Sequence, residues 1–335
     1  MAKIKDTDYL FSTARVRSIE KYMLTHEKVE KMIDAKTTED ALKVLYDSNY
    51  GDVNEQISVN DYEKLLTQEH KKTYDFIMSI APELDNFNMF LYTYDYHNLK
   101  VIMKSEYLGI DSSDLLVNTG SIDIKKLNYA VKERDFSGLT ENMALALKEI
   151  IEVFPKNKDP QVIDIIFDKY CYEEMLNSAK SLNSKFIEDY IRLQIDTINL
   201  KTYVRLRKMN KSWDFFSKVY IKGGKISEQI FIKNYDETFE KFADELFAFD
   251  LRDEFIEGTE SLEETGKFTA LEKIFDNKLL NHVKSAKYIS YGIEPLVGYL
   301  IAKDNEIKIA RIILAGKIAG ISSELIKERL RETYV

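Results

Sequence analysis

Metal binding or nucleophilic catalysis would fall to the four histidines, His26, His70, His97 and His282, and to the single cysteine, Cys171. Helical zinc sites commonly pair two histidines four residues apart, or combine histidine with cysteine. The four histidines do not have this spacing, and none is near Cys171. A cysteine nucleophile also needs a partnering base, whereas Cys171 lies in a helical context. We therefore predict no metal, no cofactor and a small buried cysteine.

Phosphate binding could use the lysines that flank glycines in Lys222-Gly223-Gly224-Lys225 and in Ala315-Gly316-Lys317. Neither segment has the Walker spacing, in which a first glycine precedes Gly-Lys-Ser/Thr by four other residues. The chain also lacks the glycine pattern of dinucleotide-binding loops and the G-x-S-x-G nucleophile turn. These observations favour a protein without an active site of its own. An enzyme whose acidic residues converge from different parts of the chain remains an alternative.

An acidic residue and a basic residue recur at one spacing in three segments. The first two segments share the string D-x-x-N-L-K, and the third reads E-x-x-I-A-R. The positions are Asp95, Asn98, Leu99 and Lys100; Asp196, Asn199, Leu200 and Lys201; and Glu306, Ile309, Ala310 and Arg311. Such recurrence at a long period indicates tandem small domains. For the third segment, chance similarity between amphipathic helices is the alternative.

The spacing of these positions predicts a buried stripe on each of three helices. Residues at positions 0, +3, +4 and +7 share one helical face, so each acid lies at the edge of an apolar stripe that includes Leu99 or Leu200. An unpaired buried carboxylate is costly. We therefore expect an Arg, a Lys or a backbone N–H from a neighbouring helix to contact each acid, unless the acid is solvated.

The elements that must position these residues are helices. The chain has only 12 Gly and 4 Pro in 335 residues, too few for the turns of a sheet protein of this size. Thr37 to Asp40 looks like a capping box, with Gly51 as the stop of the helix that follows. A helix through Ala144–Phe154 should end before Pro155, and the next should begin near Gln161. The sequence thus predicts an all-α fold.

The repeat divides the chain into three similar helical domains, which we place at 1–112, 113–216 and 217–335. Phe167-Asp168 and Phe275-Asp276 precede the second and third acids at nearly equal distances, and Leu66 takes the place of the phenylalanine in the first copy. The spacing from acid to acid is close to one third of the chain, and a period this long indicates tandem small domains and not a short-repeat solenoid.

The net charge of −9 argues against nucleic-acid binding and against electrostatic docking onto anionic lipid. A basic cluster at Arg205, Arg207, Lys208 and Lys211 fits a protein contact or structural ion pairs better than nucleic acid. The longest apolar run, 307–321, contains three basic residues, which excludes insertion into lipid through this run.

Several stretches resemble the C subunit of the archaeal and bacterial V-type (A-type) rotary ATPases, the counterpart of the d subunit of eukaryotic V-ATPase. The segment Tyr9–Glu20 resembles the opening helix of that family, and the Asp95 and Asp196 strings resemble its central helices. The ending, from Glu294 through Ile313, is similar to its C-terminal helix. Ile309 departs from the Asn expected there, which puts a shared polar role at that position in doubt.

The resemblance implies three helical domains in a pseudo-threefold funnel that acts as a non-catalytic socket. Its partners would be central shaft subunits of the D and F types and the membrane rotor ring of K- or c-type subunits. The chain would lie at the cytoplasmic face of the membrane without entering lipid. Arg15 and Arg17 in the opening helix would bind a partner or pair with the repeat acids. A helical-repeat scaffold unrelated to ion transport is the alternative.

Overall fold

The computed structural model describes residues 5–51 and 58–335. Helices make up 76% of the structure, and no strand occurs in these two ranges. The prediction of an all-α fold is confirmed. Sixteen α-helices lie in the described ranges: α1 (Leu10–Ile19), α2 (His26–Asp34), α3 (Thr38–Asp47), α4 (Tyr62–Ile80), α5 (Tyr92–Leu108), α6 (Ile124–Glu133), α7 (Glu141–Asn157), α8 (Pro160–Ser181), α9 (Lys185–Lys208), α10 (Trp213–Val219), α11 (Glu228–Lys233), α12 (Phe239–Leu246), α13 (Arg252–Thr265), α14 (Thr269–Lys284), α15 (Glu294–Ile318) and α16 (Ser323–Arg329).

Short 3-10 helices precede or extend several of these α-helices. They lie at Asp6–Tyr9, Glu20–Tyr22, Val59–Asp61, Asp85–Phe90, Ser113–Leu115, Phe247–Phe249 and Ser285–Tyr288.

Side-chain caps explain where many of the helices begin. The oxygen of each capping residue accepts a hydrogen bond from a backbone N–H in the first turn, which would otherwise lack a partner. Thr37 caps α3 in this way, as its sequence context predicts, but α3 ends at Asp47, before Gly51. The other such caps are Thr25, Asp123, Thr140, Asp159, Ser184, Thr238 and Ser322.

The prediction that α7 ends before Pro155 is wrong, since the helix continues through Pro155 to Asn157. Pro155 removes one i→i−4 hydrogen bond, and only two helical residues follow it, so little of the helix lies beyond the break. The helix stops at Lys158, which has a left-handed φ of 52° and whose N–H donates to the carbonyl oxygen of Phe154 at 2.8 Å. The next helix, α8, begins at Pro160, close to the predicted start; proline is favoured in the first helical turn.

The chain forms two compact units. The first combines the described residues of Met1–Leu84 with Leu251–Val335, and the second is Asp85–Asp250. Described residues from the first and the last quarter of the sequence thus belong to one unit. The predicted boundaries of three repeat domains stay a prediction.

The first unit is built on α15, which packs against α1, α2, α3, α4, α14 and α16. Its inner surface presents Ile309, Ala310 and Ile313 to the apolar sides of α2 and α3, and none of these three side chains is more than 1% exposed. A helix buried on most sides is apolar nearly all round, which matches the sequence of α15.

In the second unit, α8 packs against α5, α7 and α9. The end of α9 is held by an aromatic cluster from α10 to α12, in which the Tyr203 ring centroid lies 4.5 Å from Phe242 and 5.8 Å from Phe216. From the predicted basic cluster, the Arg207 guanidinium lies 4.5 Å from the Phe239 ring centroid and donates to the Tyr203 hydroxyl at 3.0 Å. Arg207 is therefore part of the packing of α9.

Candidate functional site

The three predicted stripes lie on α5, α9 and α15, and every position in them is buried. None of the twelve side chains is more than 5% exposed. They are Asp95, Asn98, Leu99 and Ile102; Asp196, Asn199, Leu200 and Tyr203; and Glu306, Ile309, Ala310 and Ile313. Three residues that lie at nearly equal distances before the acids in sequence are fully buried as well. They are Leu66, Phe167 and Phe275. The helical geometry inferred from spacing is confirmed.

Asp95 holds the loop between α5 and α6. Its carboxylate accepts the Ser121 hydroxyl at 2.6 Å and the backbone N–H groups of Ser121 and Ile122 at 3.1 and 3.0 Å. One turn further along α5, the Asn98 side chain donates to the carbonyl oxygen of Val117 at 2.8 Å and accepts its N–H at 2.9 Å. Backbone N–H donors were among the expected partners, but they come from a loop and not from a neighbouring helix.

Asp196 repeats this arrangement at the start of α11. It accepts the N–H groups of Lys225 and Ile226 at 2.8 and 3.0 Å. Asn199 donates to the carbonyl oxygen of Ile221 at 2.8 Å and accepts its N–H at 2.9 Å. The first two copies of the repeat are therefore alike in hydrogen bonding as well as in sequence.

A glycine stands against the carboxylate in both copies. A Cβ on Gly120 would lie 2.1 Å from Oδ1 of Asp95, and one on Gly224 would lie 2.1 Å from Oδ1 of Asp196. This distance is far below van der Waals contact, so the close approach of backbone to carboxylate requires glycine. The pair Gly223-Gly224, which could suggest phosphate binding, has this structural role at its second residue.

Burial raises the pKa of both aspartates, and the hydrogen bonds from backbone N–H groups only partly oppose it. For Asp196 the pKa rises from 3.8 to about 6. Each carboxylate therefore binds backbone N–H groups although burial disfavours its charged form.

Glu306 anchors a different segment with different donors. It accepts the Tyr50 hydroxyl at 2.6 Å, the backbone N–H of Leu24 and the ammonium group of Lys303. The ammonium group of Lys303 also lies 2.9 Å from Glu69. Burial by itself lowers the pKa of Lys303, but the two carboxylates outweigh it and raise that pKa above its ordinary value.

The three acids have the same structural role although their hydrogen-bond donors differ. Ile122 and Ile226, which donate to Asp95 and Asp196, immediately precede Asp123 and Ser227, the amino-terminal capping residues of α6 and α11. Leu24, which donates to Glu306, likewise precedes Thr25, the cap of α2. Each acid thus fixes the backbone at the start of a helix. In the third copy that helix comes from the first part of the chain.

The third copy lacks the asparagine whose side chain, in the first two copies, bonds both the N–H and the carbonyl oxygen of one residue. Ile309 occupies that position and packs in the apolar core of the first unit. Tyr50 and Lys303 supply side-chain contacts to Glu306 instead. The departure from Asn at this position therefore changes the chemistry of the anchor while its placement is kept.

The basic residues of the first and third copies form ion pairs with acids on other helices. The Lys100 ammonium group is 2.5 Å from Asp168 on α8, and Arg311 is 2.9 Å from Glu63 on α4. Lys201 is half-buried on α9.

The two arginines of the opening helix have different surroundings. Arg15 is exposed on α1. The Arg17 guanidinium lies 2.7 Å from the carboxylate of Glu20 and donates to the carbonyl oxygens of Ala286 and Ile289 at 2.7 and 3.2 Å. Its ion pair is therefore with Glu20 and not with a repeat acid.

Sequence reasoning missed a buried polar group around Glu69 in the first unit. This group includes the contacts of Lys303 with Glu69 and Glu306. In addition, Nε2 of His70 lies 3.3 Å from the carboxylate of Asp304. Burial lowers the pKa of His70 to about 4, which favours its uncharged form near pH 7, and raises the pKa of Asp304 to about 7. The spacing of Lys303 and Glu306, three residues apart on one helix, is the signal that could have found part of this group.

The remaining chemistry-bearing residues are placed as follows. Cys171 is 3% exposed, and burial raises the pKa of its thiol well above the ordinary value, which agrees with the predicted buried cysteine. Among residues 5–51 and 58–335, no group of three or more His, Cys, Asp or Glu is placed to hold a metal ion. Within the same ranges, no helix has the length and apolar character needed to cross a membrane.

Comparison with known proteins shows which family the chain belongs to. The family model described as ATP synthase (C/AC39) subunit matches residues 12–329, nearly the whole chain. The chain belongs to this family. The resemblance inferred from the opening segment, the central strings and the ending is thereby confirmed.

Relatives in the ATP synthase (C/AC39) subunit family match along almost their full length. The C subunit of the V-type sodium ATPase of Enterococcus hirae is 25% identical over 322 residues, covering 95% of this chain and 97% of the relative. The C subunit of the A-type ATP synthase of Thermococcus kodakarensis is 23% identical, covering 98% and 92%. That of Methanosarcina acetivorans is 26% identical, covering 97% and 93%.

Proposed function

We propose that the chain is a non-catalytic central-stalk subunit of a V-type (A-type) rotary ATPase. It would act as a socket that couples the central shaft to the membrane rotor ring during ATP-linked transport of H⁺ or Na⁺. The observation that carries this proposal is the family match, which extends over nearly the whole of this chain and of its relatives.

The proposed partners are shaft subunits of the D and F types on one side and K- or c-type ring subunits on the other. Contact with the ring would be made at the cytoplasmic face, through the loops that the ring exposes there. We further propose that the three repeat blocks, 1–112, 113–216 and 217–335, surround the shaft with pseudo-threefold symmetry in a funnel.

The anchors support a mechanical role. A torque coupler needs helices whose positions do not slip, and close packing supplies stiffness. In each copy of the repeat, a buried carboxylate fixes the backbone where a helix begins, so that this helix cannot shift along the anchored one without breaking hydrogen bonds. Buried hydrogen bonds are expensive to leave unmade.

The test is purification of the rotary ATPase from native membranes with and without this chain. We expect the chain to co-purify with the complex, and its deletion to abolish ATP-driven ion transport while part of the ATP hydrolysis remains. Absence of the chain from the complex would favour an unrelated helical scaffold. Turnover by the isolated chain would favour an enzyme.

A further inference from the structure

The first turn of helix α1 presents large apolar side chains to solvent and small polar ones to the protein. Leu10 and Phe11 are 53% and 67% exposed, whereas Ser12 and Thr13 are 1% and 3% exposed. A helix that only covered the first unit would show the reverse pattern. Exposed apolar side chains grouped on one face are typical of an interaction site.

The orientation of α1 is held by contacts on its inner side. The Ser12 hydroxyl donates to the carbonyl oxygen of Ile80, and Val16 is fully buried. Arg17 donates to the carbonyl oxygen of Ala286 at 2.7 Å. Rotation of the helix to bury Phe11 would break these contacts, so the apolar face stays outward.

The outward face is continuous and carries one positive charge, while the exposed Asp6 and Asp8 lie in the turn before it. Leu10, Phe11, Ala14, Arg15 and Ser18 lie on the same side of the helix by their spacing, and all five are exposed. We call these five residues the α1 face. Its one charged residue is positive, although the chain as a whole carries a net charge of −9.

Tyr22, just beyond the α1 face, is surrounded by lysines. The Lys21 ammonium group lies 4.9 Å from the centroid of the Tyr22 ring, and Lys28 donates to the Tyr22 carbonyl oxygen at 3.2 Å. Lys72 lines the same pocket as Tyr22, but its ammonium group already lies 3.7 Å from the Glu69 carboxylate and donates to the carbonyl oxygen of Asn49. A partner that meets this surface therefore faces positive charge at Arg15 and Lys21.

The pocket at Tyr22 has a volume of about 210 Å³ and lies where α1, α3, α4 and α15 meet. Tyr22, Phe76 and Tyr299 give it aromatic walls, and the buried pair Glu69 and Lys303 also lines it. Because these two charges pair with one another, the pocket can take a largely apolar side chain. A pocket that a partner's side chain fills is a frequent centre of binding energy.

We propose that the α1 face and the Tyr22 pocket together form the docking site for an acidic amphipathic helix of another protein subunit. The apolar side of that helix would cover Leu10 and Phe11 and place one side chain in the pocket. Its carboxylates would lie near Arg15 and Lys21, which are both exposed. The proposal rests on the assembly proposed above, because it assigns one of the protein contacts of that assembly.

The first experiment places a photo-crosslinking phenylalanine analogue at Phe11 in the complex isolated from native membranes. A crosslink to a helical, acidic segment of another subunit is expected. Crosslinks to lipid, to a second copy of this chain or to this chain itself would overturn the proposal, as would the absence of any crosslink. The same analogue at Phe247, which is 78% exposed in the second unit, is the matched control and should not give that product.

The second experiment measures how much of the chain is retained by the complex after a salt wash. Phe11→Glu and Arg15→Glu should each lower retention about tenfold, whereas Arg15→Lys should retain the wild-type level. The thermal melting of all three isolated variants should match that of the wild type, since both positions are exposed.

The two proposals fail differently in this measurement. If the wild-type chain is not retained, the proposed function is wrong. If the wild type and Phe11→Glu are retained equally, only the docking site is wrong. Equal losses for Phe11→Glu and Phe247→Glu would also overturn the site, because the effect would then not depend on the α1 face.

Discussion

At the scale of single residues, this protein uses carboxylates to hold backbone. Asp95 and Asp196 each accept two backbone N–H groups beside a glycine, and Glu306 accepts one. Hydrogen bonds to an ionised acceptor are stronger than neutral ones, which compensates part of the cost of burying the charge. The acids of the repeat are therefore part of the architecture.

Substitution of the glycine beside each acid should be costly. Gly120→Ala and Gly224→Ala would each place a methyl group 2.1 Å from a carboxylate oxygen. We expect a loss of about 2–3 kcal/mol in the free energy of unfolding, measured by urea denaturation. Gly138→Ala is the matched control, because no atom lies within 4 Å of its added Cβ. Equal stabilities of the three variants would contradict the close approach.

The raised pKa of Asp196 predicts a pH dependence of stability. The folded pKa is about 6 and the ordinary value is 3.8, so the folded protein binds the proton more tightly. The resulting stabilisation is complete below about pH 4 and is lost as the pH rises through 6, by about 3 kcal/mol in total. Relative to Asp196→Asn, the wild type should lose this amount between pH 4 and pH 7 in denaturant titrations. A difference that does not change with pH would exclude the shift.

At the scale of helices, the stripes on α5 and α9 decide whether the second unit folds. Leu99 and Leu200 are both fully buried within these stripes. Their replacement by Lys would bury a charge without a partner, so we expect a loss of about 4 kcal/mol or more. Leu108→Lys, on the same helix as Leu99 but 47% exposed there, should be tolerated. Thermal melting by circular dichroism tests this, and wild-type melting of Leu99→Lys would refute the stripe.

At the scale of the whole molecule, the first unit joins described residues up to Leu84 with Leu251–Val335 around α15. Ile313 on α15 packs in one apolar core with α2 and α3. Ile313→Ala should therefore cost about 2–5 kcal/mol and speed amide hydrogen exchange in residues 26–47, far away in sequence. Exchange in residues 124–181 of the second unit should change little. Ile313→Val, which removes only one methylene group, should give the same pattern more weakly.

The helical class, the buried stripes and the family could all be predicted from the order of the amino acids. These features depend on residue type and on spacing along one helix, because side chains three or four positions apart share a face wherever the helix lies. Asp95 and Asp196 could therefore be recognised as buried acids that need donors. The pairing of Arg207 with an aromatic cluster was open from the sequence, since neither ring nor distance could be read from spacing.

What the acids bind, and which parts of the chain complete each copy, became known only from the packing of the folded chain. The donors are backbone N–H groups, which every residue except proline carries, so no side-chain type marks Ile122, Ile226 or Leu24 as a partner. The Glu306 anchor also joins residues 282 positions apart. Local patterns carry no information about such a contact, because it forms only when packing brings the two segments together.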